Sequence, residues 1–132
     1  DCVREAHEAA QALEAIAELA LERGLDGVTI DQIAEVAGNL AASAGMMLQV
    51  DALRQEGRME MMHAAMAKAT STRLARSSAA LARDALGGNG LLTEHEIAKI
   101  MGDVEAIYSY EGSYGMNTLI VGRALTGVSA FV

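Results

Sequence analysis

The chain has 132 residues, 52% of them apolar and 3% aromatic, so it suits one domain that buries roughly 70% of the surface its unfolded form would expose. Its apolar content is mostly Ala, Leu, Ile and Met, the makings of packed helices, and neither an uninterrupted apolar run of about 18 residues nor a charged-then-apolar opening marks a membrane span or secretion signal. A formal charge of −8 argues against a nucleic-acid partner, and a single cysteine, Cys2, excludes an internal disulfide, so a reducing, cytoplasmic setting is expected, or the mitochondrial matrix in a eukaryote.

The chain has no proline, so glycine must punctuate it. Val3, Ala6, Ala10, Leu13, Ile16 and Ala20 recur at helical spacing with glutamates between them, which predicts an amphipathic helix over 3–23 that ends at Gly24. Thr29 and Gln32 form a capping box that opens a second helix running to about Gln55 and stopping near Gly57. Its expected inner stripe is Ile30, Ile33, Ala37, Leu40, Ala44, Met47 and Leu48. A third helix is predicted over 59–86, with Met62, Met66, Ala69, Leu74, Leu81 and Leu86 inward. The adjacent Gly87 and Gly88 end it, because each would cost about 1 kcal/mol relative to Ala in a helix interior. Thr93 and Glu96 form a second capping box, which opens a helix over 94–108 through Ile97, Ile100, Met101, Val104 and Ile107. A mostly apolar helix over 116–131 closes the chain. The predicted fold is all-α: a single domain, 1–132, built as an up-and-down bundle of four main helices with a shorter one before the last.

Two stretches carry chemical interest. "GGNG" at 87–90 is either a helix stop and turn or a phosphate-approachable loop, since glycine amides ahead of a helix can meet an anion with no Cβ in the way. Glu111, between Tyr110 and Gly112 at an expected helix break, is either a solvated turn residue or a carboxylate in an apolar cleft, where desolvation makes it a stronger base. His7, His63 and His95 lack ligand spacing, and no metal site is expected. The methionines at 46, 47, 59, 61, 62 and 66 read as core filler, or as a strip that docks a partner helix.

The blocks "ARDALGGNG" (82–90), "DVEAIYSYEGS" (103–113) and "LIVGRALTGVSAF" (119–131), with a weaker continuation upstream through "GRMEMMHAAMAKATSTRLAR", resemble the C-terminal helical domain of FAD-dependent acyl-CoA dehydrogenases over about residues 33–132. The look is that of the glutaryl-CoA dehydrogenase and short-chain acyl-CoA oxidase branch. The resemblance implies that Glu111 is the base that removes the α-proton of an acyl-CoA thioester while the β-hydrogen leaves as hydride to FAD. It implies that Tyr110 and Gly112 line the substrate cleft and that Ser113 contacts the flavin. Asp84, Gly87, Gly88 and Gly90 would meet the ADP part of FAD held by a neighbouring subunit, in a homo-oligomer. Gly115 stands where many relatives carry Gln or Asp, Lys99 replaces a common Arg, and the family's Arg-x-Gln-Phe-Gly stretch is missing. The family's N-terminal helical and middle β-domains, which hold most of the flavin and thioester, lie outside this sequence, so the chain alone is expected to be inactive. Residues 1–32 form a divergent N-terminal segment, and "ALEAIAELALERGLDGVTIDQIAEVAG" (12–38) is similar to the opening of a tetracycline-repressor-like DNA-binding domain, without the basic groups and aromatic pair that should follow. The competing reading is a designed or recombined helical scaffold whose glycines are only turns.

Overall fold

The computed structural model describes residue 22 and residues 30–129. The predicted 3–23 helix, residue 22 apart, and Thr29 of the first capping box lie outside the described residues. Those described form four helices, α1 (Ile30–Gln55), α2 (Met61–Ala85), α3 (Ile97–Ser109) and α4 (Tyr114–Thr126). Two short 3-10 turns, Gly87–Leu91 and Thr93–His95, join α2 to α3, and no strand occurs among the described residues. The all-α expectation holds. So do the 110–113 break and the boundaries of α1 and α2, to within two residues.

Helix α2 is the hub, and α1, α3 and α4 each pack along it. A helix with neighbours on several sides must let backbones approach, and its buried positions, Lys68 apart, are accordingly small: Ala65, Ala67, Ala69, Thr72, Ser78, Ala79 and Ala82. The periodicity argument favoured its larger apolar residues, and Met66 is in fact exposed. On α1 the inner stripe sits beside the predicted one. Val36 and Ser43 are buried, while Ile33 is 37% exposed and Leu48 is 73% exposed. Between these two buried positions, Asn39 Nδ2 donates to Ser78 Oγ at 3.2 Å on the side of α1 that faces α2. From α3, Ile97, Val104 and Ile107 are buried, each contributing about 1.5–3 kcal/mol of transfer free energy.

Helix α3 begins later than its capping box predicts. Glu96 takes a left-handed backbone (φ 44°), and His95 N–H donates to the Leu92 carbonyl in the preceding turn, so Thr93 belongs to that turn and cannot cap a helix starting at Ile97. Helix α4 also stops short of Phe131. At Thr126 the chain reverses, and the Gly127 amide donates back to the Arg123 carbonyl at 2.8 Å. At the other long-helix start, the Glu60 amide donates to His63 Nδ1 at 2.9 Å, which gives that histidine a capping role.

Of the cluster at 87–90, Gly90 is the residue that packing demands. It is buried, and a Cβ there would lie 2.5 Å from the carbonyl oxygen of Arg83 in the last turn of α2. Backbone is what it would strike, so the turn would have to move. Gly90→Ala is therefore expected to cost about 2 kcal/mol, while Gly88→Ala, whose Cβ meets nothing within 4 Å, stays within about 0.5 kcal/mol. Thermal melts of the two variants measure the contrast.

Candidate functional site

Helix α3 ends at Ser109 because Tyr110 turns to an extended backbone (φ −87°, ψ 167°), its amide still donating to the Ala106 carbonyl at 2.9 Å. Glu111 and Gly112 then both take positive φ, 52° and 91°. For a non-glycine residue that conformation costs of order 1–2 kcal/mol, so something must hold Glu111 there. Gly112 cannot carry a side chain easily, since its φ is unfavourable and a Cβ would meet Asn117 Nδ2 at 3.2 Å. Ser113 restarts the helix, its Oγ accepting from the Met116 amide at 3.3 Å.

Two side chains hold the kink from inside. Lys68, from the middle of α2 and only 9% exposed, donates from Nζ to the Tyr110 carbonyl and, at 3.1 Å, to the Gly112 carbonyl. Asn117, buried in the first turns of α4, donates from Nδ2 to the same Gly112 oxygen at 2.7 Å and to the Ser113 oxygen at 3.2 Å. Both lone pairs of the Gly112 carbonyl are thereby used. Among the described residues no carboxylate pairs with Lys68. Its charge is met instead by the carbonyl dipoles at the negative end of α3 and by the Tyr110 ring, whose centroid is 5.3 Å from Nζ. Glu111 thus sits between two residues whose carbonyls are pinned to one buried ammonium.

The aromatic residues on either side of the kink meet outside it. Tyr108 and Tyr114 stack with centroids 5.5 Å apart and planes 10° from parallel. The Arg76 guanidinium lies over the Tyr108 ring at 4.9 Å and pairs with Glu105. That hydrogen bond pushes the Arg76 guanidinium above its ordinary value, so its charge is secure at any working pH. The stack ties α3 to α4 across the break, and Arg76 ties α3 to α2.

The site residues expected from the sequence fall in two places. Tyr110, Glu111, Gly112 and Ser113 form the kink, whereas Gly87, Gly88 and Gly90 lie in the turn after α2 and Asp84 in the last turn of α2 itself. Within the kink, Tyr110 and Glu111 are exposed, so of the two alternatives for Glu111 the chain by itself shows the solvated one: Lys68 and Asn117 approach from beneath, and no described element covers the outer side. At the turn, Gly87 and Gly88 are exposed and open where a Cβ would stand, while Gly90 is filled by Arg83 and Asp84 pairs with its neighbour Arg83. Lys68, Asn117 and Tyr114 were not singled out from the sequence. A lysine inside an otherwise alanine-rich helix face was the available signal for the first of them.

Among the described residues no cluster of His, Cys, Asp or Glu could hold a metal, and no helix is long and apolar enough to cross a membrane. Comparison with known proteins gives one family match, to the description "Acyl-CoA dehydrogenase, C-terminal domain", over residues 2–126. That match takes in residues 12–38 and so runs through the segment that looks like a repressor opening. Among solved structures, a glutaryl-CoA dehydrogenase from Mycobacterium smegmatis is 26% identical with a TM-score of 0.88, covering 97% of this chain and 35% of its own. A second glutaryl-CoA dehydrogenase structure from the same organism, in complex with FADH2, is 23% identical at the same TM-score and coverage. This chain therefore spans about a third of the length of those enzymes.

Proposed function

Because the chain belongs to the family of acyl-CoA dehydrogenase C-terminal domains, we propose that it is the module that presents a general base, Glu111, to an acyl-CoA thioester in a flavin-dependent dehydrogenase. The observation that carries this reading is the locked kink. A carboxylate on a left-handed backbone, with both flanking carbonyls tied to Lys68, is costly to build and needless in a plain turn. An α-proton next to a thioester is weakly acidic, so its removal needs a base fixed within hydrogen-bond reach. The kink fixes the backbone that carries one. The desolvation that a base also requires would come from the bound thioester and the rest of the enzyme, which would cover the exposed outer side of the kink, with Tyr110 and the bare Gly112 beside the acyl group.

The fit to a flavin is uneven. Ser113 accepts from an amide and keeps its own proton to donate, and Gly87 with Gly88 offers exposed backbone that a dinucleotide could approach. Those three residues would contact the cofactor. Gly90 is occupied with α2, and Asp84 acts through the turn it borders. When bound, FAD would supply the hydride acceptor that no side chain provides. Leu91 and Leu92, exposed beside the turn, suit the protein neighbour from which the ADP part would come in a homo-oligomer.

Titrating FAD into the purified flavin-free form of the enzyme that carries this chain and following its absorbance tests the assignment, together with its turnover of glutaryl- or butyryl-CoA with an artificial electron acceptor. Saturable flavin binding is expected. If no saturable binding and no turnover is found, the helical-scaffold reading stands instead.

A further inference from the structure

We propose that Lys68 is a positioning residue for the reaction, setting the place of the Glu111 carboxylate without touching substrate. The inference rests on the reading of Glu111 as base. Its grounds are geometric. Among the described residues, Lys68 is the one charged group that reaches the carbonyls on both sides of Glu111, those of Tyr110 and Gly112, and it comes from α2, the helix against which α1, α3 and α4 all pack. Asn117 secures the Gly112 and Ser113 carbonyls but not that of Tyr110, and it belongs to the element that follows the kink, so it cannot tie the kink to the hub. With the ammonium gone, Glu111 keeps its side chain but loses the restraint that opposes relaxation of its left-handed φ toward an ordinary value. The carboxylate then moves relative to a thioester held elsewhere in the enzyme.

A shift of about 1 Å in a reacting group lowers rate by a factor of about 100. In the flavin-loaded enzyme carrying this chain, Lys68→Met is expected to lower kcat by roughly 30- to 100-fold, with KM for the thioester changed by less than about threefold. Lys68→Arg, which retains the donors, should recover about a tenth of the wild-type rate or more. A role in packing alone would lower the amount of folded enzyme and leave kcat per flavin unchanged, and that outcome overturns the proposal. The decisive comparison is a double-mutant cycle. If Lys68 acts through Glu111, adding Lys68→Met to Glu111→Gln lowers the residual rate by less than about threefold. An equal loss on both backgrounds overturns it. Propylammonium added to Lys68→Ala should raise kcat by about tenfold where propanol does not, and no response to the cation counts against the proposal. Should Glu111→Gln alone leave the rate intact, the base assignment itself falls and the positioning role falls with it, whereas full loss in Glu111→Gln beside an unaffected folded Lys68→Met removes only the role of Lys68.

Discussion

Replacing Lys68 by alanine is expected to lower stability by about 3 kcal/mol, and the melting temperature by about 10 °C for a domain of this size. Burying an ammonium is itself unfavourable, so part of the loss is returned when the charge goes. The partners cannot be mutated away, however, because they are backbone. The Tyr110 and Gly112 carbonyls would each lose a charge-assisted hydrogen bond, and the Tyr110 ring would lose its cation. Lys99, exposed on α3, is the matched control and should tolerate alanine within about 0.5 kcal/mol. Equal melting curves for the two variants would mean that the hydrogen bonds of Lys68 add nothing net to stability.

Glu111→Gln is expected to have the largest effect on rate and almost none on folding. General-base catalysis contributes roughly 100- to 10,000-fold, and the amide cannot take a proton. The side chain is exposed, and its backbone is held by bonds that the substitution does not touch, so the melting temperature should hold within about 1 °C. Loss of rate without loss of fold separates a chemical role from a structural one.

The large elements were legible because their signals are local. Apolar periodicity and Gly57 placed α1, and the tyrosine-flanked Glu-Gly pair placed the break after α3. What escaped were features decided by partners distant in sequence. The inward faces of α1 and α2 carry an Asn39 to Ser78 hydrogen bond and closely packed alanines, neither of which a hydrophobic stripe can express. The start of α3 was misplaced because Thr93 and Glu96 have the right identities for a capping box, yet Glu96 adopts a left-handed backbone that breaks it. The site divided in the same way. Tyr110, Glu111, Gly112 and Ser113 are contiguous and could be found by reading along the chain. Lys68 acts across 42 and 44 residues of separation, and Gly90 answers to the backbone of Arg83, so these roles appear only once the helices are assembled.

Proton removal can be observed apart from oxidation. A thioester with sulfur at the β-position has α-hydrogens but no β-hydrogen to transfer, so in D2O its only available reaction with a base is exchange at the α-carbon. With the flavin-loaded enzyme carrying this chain, α-deuterium should enter at a measurable rate, and Glu111→Gln should slow that entry by at least about 100-fold with the analogue still bound. Exchange at the wild-type rate in the Glu111→Gln enzyme would contradict the account.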